Sequence, residues 1–174
     1  IPLAIELAAA RVKVLSAEQI ASRLDDRFRL LTGGSRTALP RQQTLRALID
    51  WSYDLLSEQE RILLRRLSVF AGGWTLEAAE TVGSGEGIEE WKVLDLLSHL
   101  LDKSLVIAEE RERETRYRLL ETVRQYSREK LLEAEEGEEA RGRHLGFFVR
   151  LAEETEPHLG QPGWLDQLET EHDN

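Results

Sequence analysis

The sequence of 174 residues contains no cysteine, no methionine and only four prolines, and aromatic residues make up 6% of it. The absence of cysteine excludes disulfides and thiolate metal sites. No run approaches the roughly 18 to 20 apolar residues that cross a bilayer, and no basic segment precedes an apolar one as in a secretory signal. We therefore expect a cytoplasmic chain with no membrane partner. The lack of methionine and the Ile-Pro start indicate a fragment of a longer protein.

Positive charge is also in short supply. The formal net charge is -10 at pH 7 and the pI is near 5.0, whereas broad affinity for polyanions requires a positive surface. Hydrophobic residues make up 41% of the chain, enough to build a core without covalent staples. Any nucleic-acid surface must therefore be a local patch on a folded domain.

Residue patterns that carry catalysis or bind metals are missing as well. Asp25 and Asp26 are adjacent, so on a helix they point about 100° apart and cannot act as a facing acid and base. No serine stands in a G-x-S-x-G turn, and no G-x-x-x-x-G-K-[ST] loop occurs to cradle phosphates. The four histidines lack the paired spacing of a zinc site. We predict no catalytic residue, no metal site, no cofactor and no enzymatic activity for this chain by itself.

Helical periodicity dominates the first third of the chain. Apolar spacing predicts helices over residues 2–14 and 16–31, the second opened by a capping box, "SAEQ", with Ser16 as N-cap. A third helix is predicted over residues 41–56. We assign these helices to one helical domain, residues 1–56.

A second domain is predicted over residues 57–135. It begins with another capping box, "SEQE", and continues with helices up to Gly72 and from Thr75 to about Val82. The next helix, "IEEWKVLDLLSHLLDKS", is so densely apolar that we expect Trp91 and Leu94 to be buried.

A change of period follows that helix. Short β-branched and alternating runs around a charged centre predict a hairpin over residues 105–119, before a helix over 121–135. Three helices followed by a hairpin is the order of a winged helix. Helical spacing resumes after Gly137, and residues 138–174 are typical of the start of a helical array that recruits protein partners. The predicted fold is mainly α: a helical domain, a winged-helix domain with a small β-hairpin wing, and α-solenoid-like helices.

The charges of the winged helix give a mixed indication about DNA. Its third helix would meet phosphates with Glu89, Glu90 and Asp95, and Lys92 alone does not offset them, so we expect this domain not to read DNA directly. A possible basic surface follows the hairpin, although a solvated face is the simpler interpretation. It comprises Arg116, Arg118, Arg124 and Arg128.

Three segments, taken in order, resemble one family. "IPLAIELAAARV" resembles the G-x-P-L-A helix of STAND or NB-ARC signal-transduction ATPases, "LIDWSYDLLSEQERILLRRLSVFAGGW" their junction into the winged helix, and "RYRLLETVRQYSREKL" their M-H-D segment. The resemblance spans roughly residues 1–135 and is closest to bacterial predicted ATPases of LuxR-type and AfsR-like transcriptional regulators. The remaining tail resembles the entry to their tetratricopeptide-like (TPR-like) sensor array.

This resemblance implies a nucleotide-dependent switch. An upstream P-loop domain of the same chain would bind ATP or ADP with Mg, and the present domains would fold over the nucleotide, with Pro2 against its base. Alignment through "VRQY" puts Leu119, Leu120 and Glu121 at the M, H and D positions, so the sensor motif is degenerate. Leu120 has no hydrogen-bond donor to offer a phosphate.

Our interpretation from sequence is therefore a regulatory fragment of a STAND-type ATPase that couples the nucleotide state of an absent domain to sensing and output. Two alternatives from other classes stay open. One is a winged-helix DNA-binding module, which salt-dependent binding of duplex DNA would indicate. The other is a protein-interaction scaffold, which the lack of a P-loop upstream of Ile1 would favour.

Overall fold

The computed structural model describes residues 5, 9–10, 12, 14–22, 40–110, 114–158 and 169–174. Two strands, β1 (Ile107–Glu110) and β2 (Thr115–Arg118), form an antiparallel pair. Six α-helices are bounded among the described residues: α1 (Pro40–Asp54), α2 (Glu58–Leu67), α3 (Leu76–Gly83), α4 (Val93–Asp102), α5 (Glu121–Glu133) and α6 (Gly137–Thr155). Two 3-10 turns span Glu90–Lys92 and Glu156–His158. The predicted fold class, mainly helical with a small hairpin in a winged-helix domain, is confirmed. No helix among these residues is long and apolar enough to span a membrane.

Both predicted capping boxes are formed. The Ser57 backbone N–H donates to Oε2 of Glu60 at 2.7 Å, and the Glu60 N–H donates to the Ser57 hydroxyl oxygen at 3.3 Å. Ser16 and Gln19 make the same reciprocal pair at 3.0 and 3.2 Å. Because each box satisfies backbone donors that the first helical turn leaves free, α2 begins where the sequence predicts.

A single residue, Trp74, pairs with the wing as an isolated antiparallel β-bridge. Trp74 lies beside β2 and exchanges two backbone hydrogen bonds of 2.8 Å with Tyr117. Gly73 makes this approach possible, since its φ is +93° and a Cβ there would lie 2.7 Å from the Tyr117 carbonyl oxygen. A residue with a side chain would be strained in this conformation and would clash with the wing.

The core lies between α2, α3 and α4 and continues to α1 and α6. Leu63, Leu67, Phe70 and Leu97 are almost completely buried in it. The same cluster of buried residues extends to Trp51 of α1 and to Phe147 of α6, which packs on α3. The domain limits predicted from the sequence, 1–56, 57–135 and 138–174, stay predictions, because one apolar cluster crosses all three.

Two burial predictions were wrong. Trp91, in the 3-10 turn Glu90–Lys92 before α4, is 70% exposed, and Leu94, in α4 itself, is 46% exposed. The buried face of this helix consists instead of Val93, Leu96, Leu97 and Leu100. A dense apolar run places some of its members outside the core, because a helix offers only one face to its neighbours.

In α6, Leu145 is 65% exposed and Phe147 is buried. The helix predicted over residues 2–14 falls largely outside the described residues. Of those described, Val12 and Val14 are exposed turn residues.

Candidate nucleic-acid interface

Helix α4 occupies the position of a recognition helix. It follows α2 and α3, and its inner face packs into the core while Leu94, Asp95, Ser98 and His99 are exposed on the outer face. In helix-turn-helix proteins this outer face enters the major groove. The described part of the chain leaves it uncovered, with the Trp91 ring at its N-terminal end.

The outer face of α4 is acidic and apolar. Glu89, Glu90 and Asp95 are exposed at its N-terminal end. The Nζ atom of Lys92 lies 2.7 Å from Oε2 of Glu89 and 5.1 Å from the centre of the Trp91 ring. Because that lysine is already engaged by a carboxylate, α4 has little charge to offer a phosphate.

A buried carboxylate holds the C-terminal end of α4 against α2. Glu60 is almost fully buried and accepts hydrogen bonds from the Ser57 backbone and from Nζ of Lys103, which follows α4, while Nδ1 of His99 lies 3.4 Å away. Burial raises the pKa of Glu60, but the hydrogen bonds from Lys103 and Ser57 outweigh it, so the pKa is lowered overall. The capping residue of α2 therefore also positions α4.

A buried arginine holds the turn that precedes α4. Arg66 of α2 is 2% exposed and donates to the carbonyl oxygens of Gly83 at 2.9 Å and Glu86 at 2.7 Å. Burial lowers the pKa of this guanidinium, and the nearby charge of Arg143 lowers it further. Since the turn carbonyls are satisfied by a fixed side chain, the outer face of α4 is presented on a rigid support.

The four arginines of the possible basic surface do not share one free face. They are Arg116, Arg118, Arg124 and Arg128. The first is buried and paired with Glu171, the second donates to Glu109 at 2.5 Å, and the third donates to Glu121 at 2.8 Å. The last is exposed on α5. Acidic partners thus already engage three of the four.

The degenerate sensor positions lie at the start of α5. Leu119 is buried, Leu120 is half-buried at the N-cap without a side-chain cap, and Glu121 is exposed in the first turn. Hydrogen bonds from Arg124 and Gln125 lower the pKa of Glu121. Their relation to a nucleotide stays a prediction. Pro2, assigned to the nucleotide base, lies outside the described residues.

The sequence interpretation missed the contact of residues 169–174 with the wing. The side-chain oxygen of Asn174 accepts from the N–H groups of Ala71 at 3.0 Å and Gly72 at 3.2 Å, and its nitrogen donates to the Gly73 carbonyl oxygen at 2.8 Å. Glu171 pairs with Arg116, 55 residues away along the chain. No local sequence signal predicts such contacts.

Three packed helices, α2, α3 and α4, followed by a hairpin wing, define a winged-helix domain. The outer face of its third helix, α4, is exposed. In agreement, residues 56–132 match the family model described as a winged helix-turn-helix domain. The match gives no support to the prediction that this domain does not read DNA.

Curated relatives add a regulatory context. The chain is 54% identical over 152 residues to a Mycobacterium tuberculosis protein named "Putative HTH-type transcriptional regulator", covering 87% of this chain and 17% of that protein. It is 46% identical over 145 residues to an uncharacterized protein of the same species, covering 83% of this chain and 37% of that protein. The chain thus spans about a sixth and about a third of these relatives. No solved structure matched.

Proposed function

We propose that this chain is part of a transcriptional regulator and that its winged-helix domain contacts DNA. The family match over residues 56–132 and the relative named as an HTH-type transcriptional regulator support this proposal. They support DNA contact better than the coupling function suggested by the STAND-type resemblance. Because the chain spans 17% of that relative, the action of the whole protein belongs to the proposal too.

The observation that carries the proposal is the uncovered outer face of α4. A recognition helix needs a free face and a fixed rear, and here Glu60 and Arg66 fix the rear through buried hydrogen bonds. Base edges can be read through hydroxyl groups and through apolar contact with thymine methyl groups. Ser98 and Leu94 are exposed on this face, and the Ser98 hydroxyl, which donates to the Leu94 carbonyl oxygen at 2.8 Å, still has lone pairs that can accept a hydrogen bond.

Titration of a labelled duplex, followed by fluorescence anisotropy at 50 and 200 mM salt, tests this function. We expect binding that weakens as salt rises, because each neutralised phosphate releases a counterion. Lys92→Glu adds a carboxylate beside the outer face of α4 and frees Glu89 from its partner, so it should weaken binding more than Lys130→Glu on α5, which changes the net charge equally. Absence of binding by the unaltered chain at 50 mM salt would exclude DNA contact.

A second candidate is the docking of the winged helix on another domain of the same chain, as the STAND-type resemblance implies. The exposed Trp91 and Leu94 favour it, since apolar anchors among carboxylates suit a protein surface better than a phosphate backbone. In this account an upstream P-loop domain binds ATP or ADP with Mg. The C-terminal helices would receive the signal and recruit protein partners.

A longer chain that includes the upstream domain tests this candidate. Pro2→Ala should weaken ADP binding, and Trp91→Ala should increase proteolytic sensitivity between the domains. Leu145→Ala, at a comparably exposed apolar residue of α6, serves as the control. Equal ADP affinity with and without Pro2 would refute the nucleotide assignment, and Trp91→Ala behaving like the control would refute the docking surface.

A further inference from the structure

The wing contains a buried arginine whose main partner comes from a distant segment. Arg116 of β2 is 4% exposed, and its guanidinium donates through both terminal nitrogens to the two carboxylate oxygens of Glu171, the second at 3.1 Å. Glu114 lies 3.6 Å away at the end of the hairpin. This is a bidentate ion pair, and a guanidinium binds a phosphate with the same bidentate geometry.

We infer that β2 carries a phosphate-binding site for the DNA backbone, centred on Arg116, and that residues 169–174 cover it reversibly with the carboxylate of Glu171. This inference rests on the proposed DNA contact and adds its regulation. The acidic α4 offers no contact for a phosphate, and this inference assigns that contact to the wing instead. In the covered state Glu171 occupies the donors that a phosphate would take.

A second arginine lies beside this site. Arg118 is two residues further along β2, so its side chain leaves the strand on the same face as that of Arg116. The side chains of Arg118 and of its partner, Glu109, are 43% and 42% exposed. Because an exposed ion pair contributes little stability, a phosphate can replace Glu109 at low cost. Uncovering one arginine therefore completes a pair of cations on one strand.

The covering segment is attached by polar contacts that water can replace. Its sequence from residue 169 to 174, "ETEHDN", contains no apolar side chain. Asn174 holds the segment to the backbone of residues 71–73, and its amide nitrogen also donates to Glu171 at 2.7 Å. The side chains of His172 and Asp173 are 87% and 77% exposed. Release of the segment therefore exposes no apolar surface of its own.

Loss of the Glu171 charge should release the segment. A buried guanidinium that loses its main carboxylate is destabilised, although Glu114 stays 3.6 Å away, and release of residues 169–174 would let water take the place of Glu171. Phosphates and Glu171 compete for the same donors. Conditions that draw this segment away should increase DNA affinity, and conditions that hold it down should decrease it.

The test compares Glu171→Gln with Glu169→Gln, which makes the same charge change on an exposed side chain of the same segment. Duplex titrations at 50 and 200 mM salt should show tighter binding by the first variant. If one phosphate contact is gained, the fourfold rise in salt weakens its binding about 3.5-fold more than that of the control. Adding Arg116→Gln to Glu171→Gln should remove the difference.

A second readout follows the cover directly. The N–H groups of Ala71 and Gly72 donate hydrogen bonds to the side-chain oxygen of Asn174. Their amide hydrogen exchange should be faster in Glu171→Gln, because the segment is released, and unchanged in Glu169→Gln. Asn174→Ala, which leaves Arg116 and Glu171 intact, should shift DNA affinity in the same direction and checks the result if Glu171→Gln folds poorly. Equal affinity and equal salt dependence in the variants and the control overturn the inference, while DNA binding itself stands. Absence of duplex binding by every variant overturns both.

Discussion

Replacing Gly83 by alanine should destabilise the winged-helix domain, although alanine is the better helix former. A Cβ at this position would lie 2.4 Å from Cδ1 of Leu63 and 3.9 Å from Cγ1 of Val93. Leu63 is 0% exposed in the centre of the core, so its side chain could turn away only inside a packed interior. Overpacking of this kind costs about 1 to 3 kcal/mol, which exceeds the roughly 0.5 to 1 kcal/mol gained from helix propensity.

The same substitution at Gly142 provides the matched control. Gly142 lies inside α6, and a Cβ there would meet nothing within 4 Å, so alanine should stabilise the chain by about 0.5 to 1 kcal/mol. Urea unfolding monitored by circular dichroism should show a lower midpoint for Gly83→Ala and a higher midpoint for Gly142→Ala, with unchanged slopes. Equal midpoints would refute the close packing of α3 against α2.

Two further predictions concern polar contacts. Tyr126 donates to Oδ1 of Asp50 at 2.5 Å and joins α5 to α1, so Tyr126→Phe should cost about 1.5 to 3 kcal/mol. In a double-mutant cycle with Asp50→Ala, which removes the acceptor, urea unfolding should show that the two losses are not additive, and additive losses would contradict the contact. The pKa of Glu60 is lowered on folding, so its stabilisation is complete well above the ordinary value of 4.5 and is lost as pH falls through the lower folded value. The free energy of unfolding, measured from pH 3 to 7, should therefore change less with pH for Glu60→Gln than for the unaltered chain. The same pH dependence in both proteins would contradict this.

Features set by short-range rules were predictable from the sequence. The capping boxes at Ser16 and Ser57 depend on two side chains three residues apart, and both are formed. The hairpin was predictable because its alternation and charged centre lie within 15 residues. The same holds for the winged-helix order, which needs only the type and sequence of elements.

Features set by tertiary contacts were not predictable. Trp91 and Leu94 were assigned to the core because spacing alone does not say which face of a long apolar helix has neighbours. Arg116 was expected on a surface, and it is buried and paired with Glu171, 55 residues away along the chain. The role of Glu60 beyond its capping box was missed for the same reason, since Lys103 reaches it from the far end of α4.

The central claim, that this winged-helix domain contacts DNA, is tested most directly by mapping where a duplex binds. Amide chemical shifts of the labelled chain, recorded as duplex is added at 50 mM salt, should change most in α4 and β2. Residues 71–73 should respond as well, because their cover competes with phosphate. Shifts confined to α6, or no shifts at an excess of duplex, would contradict the account.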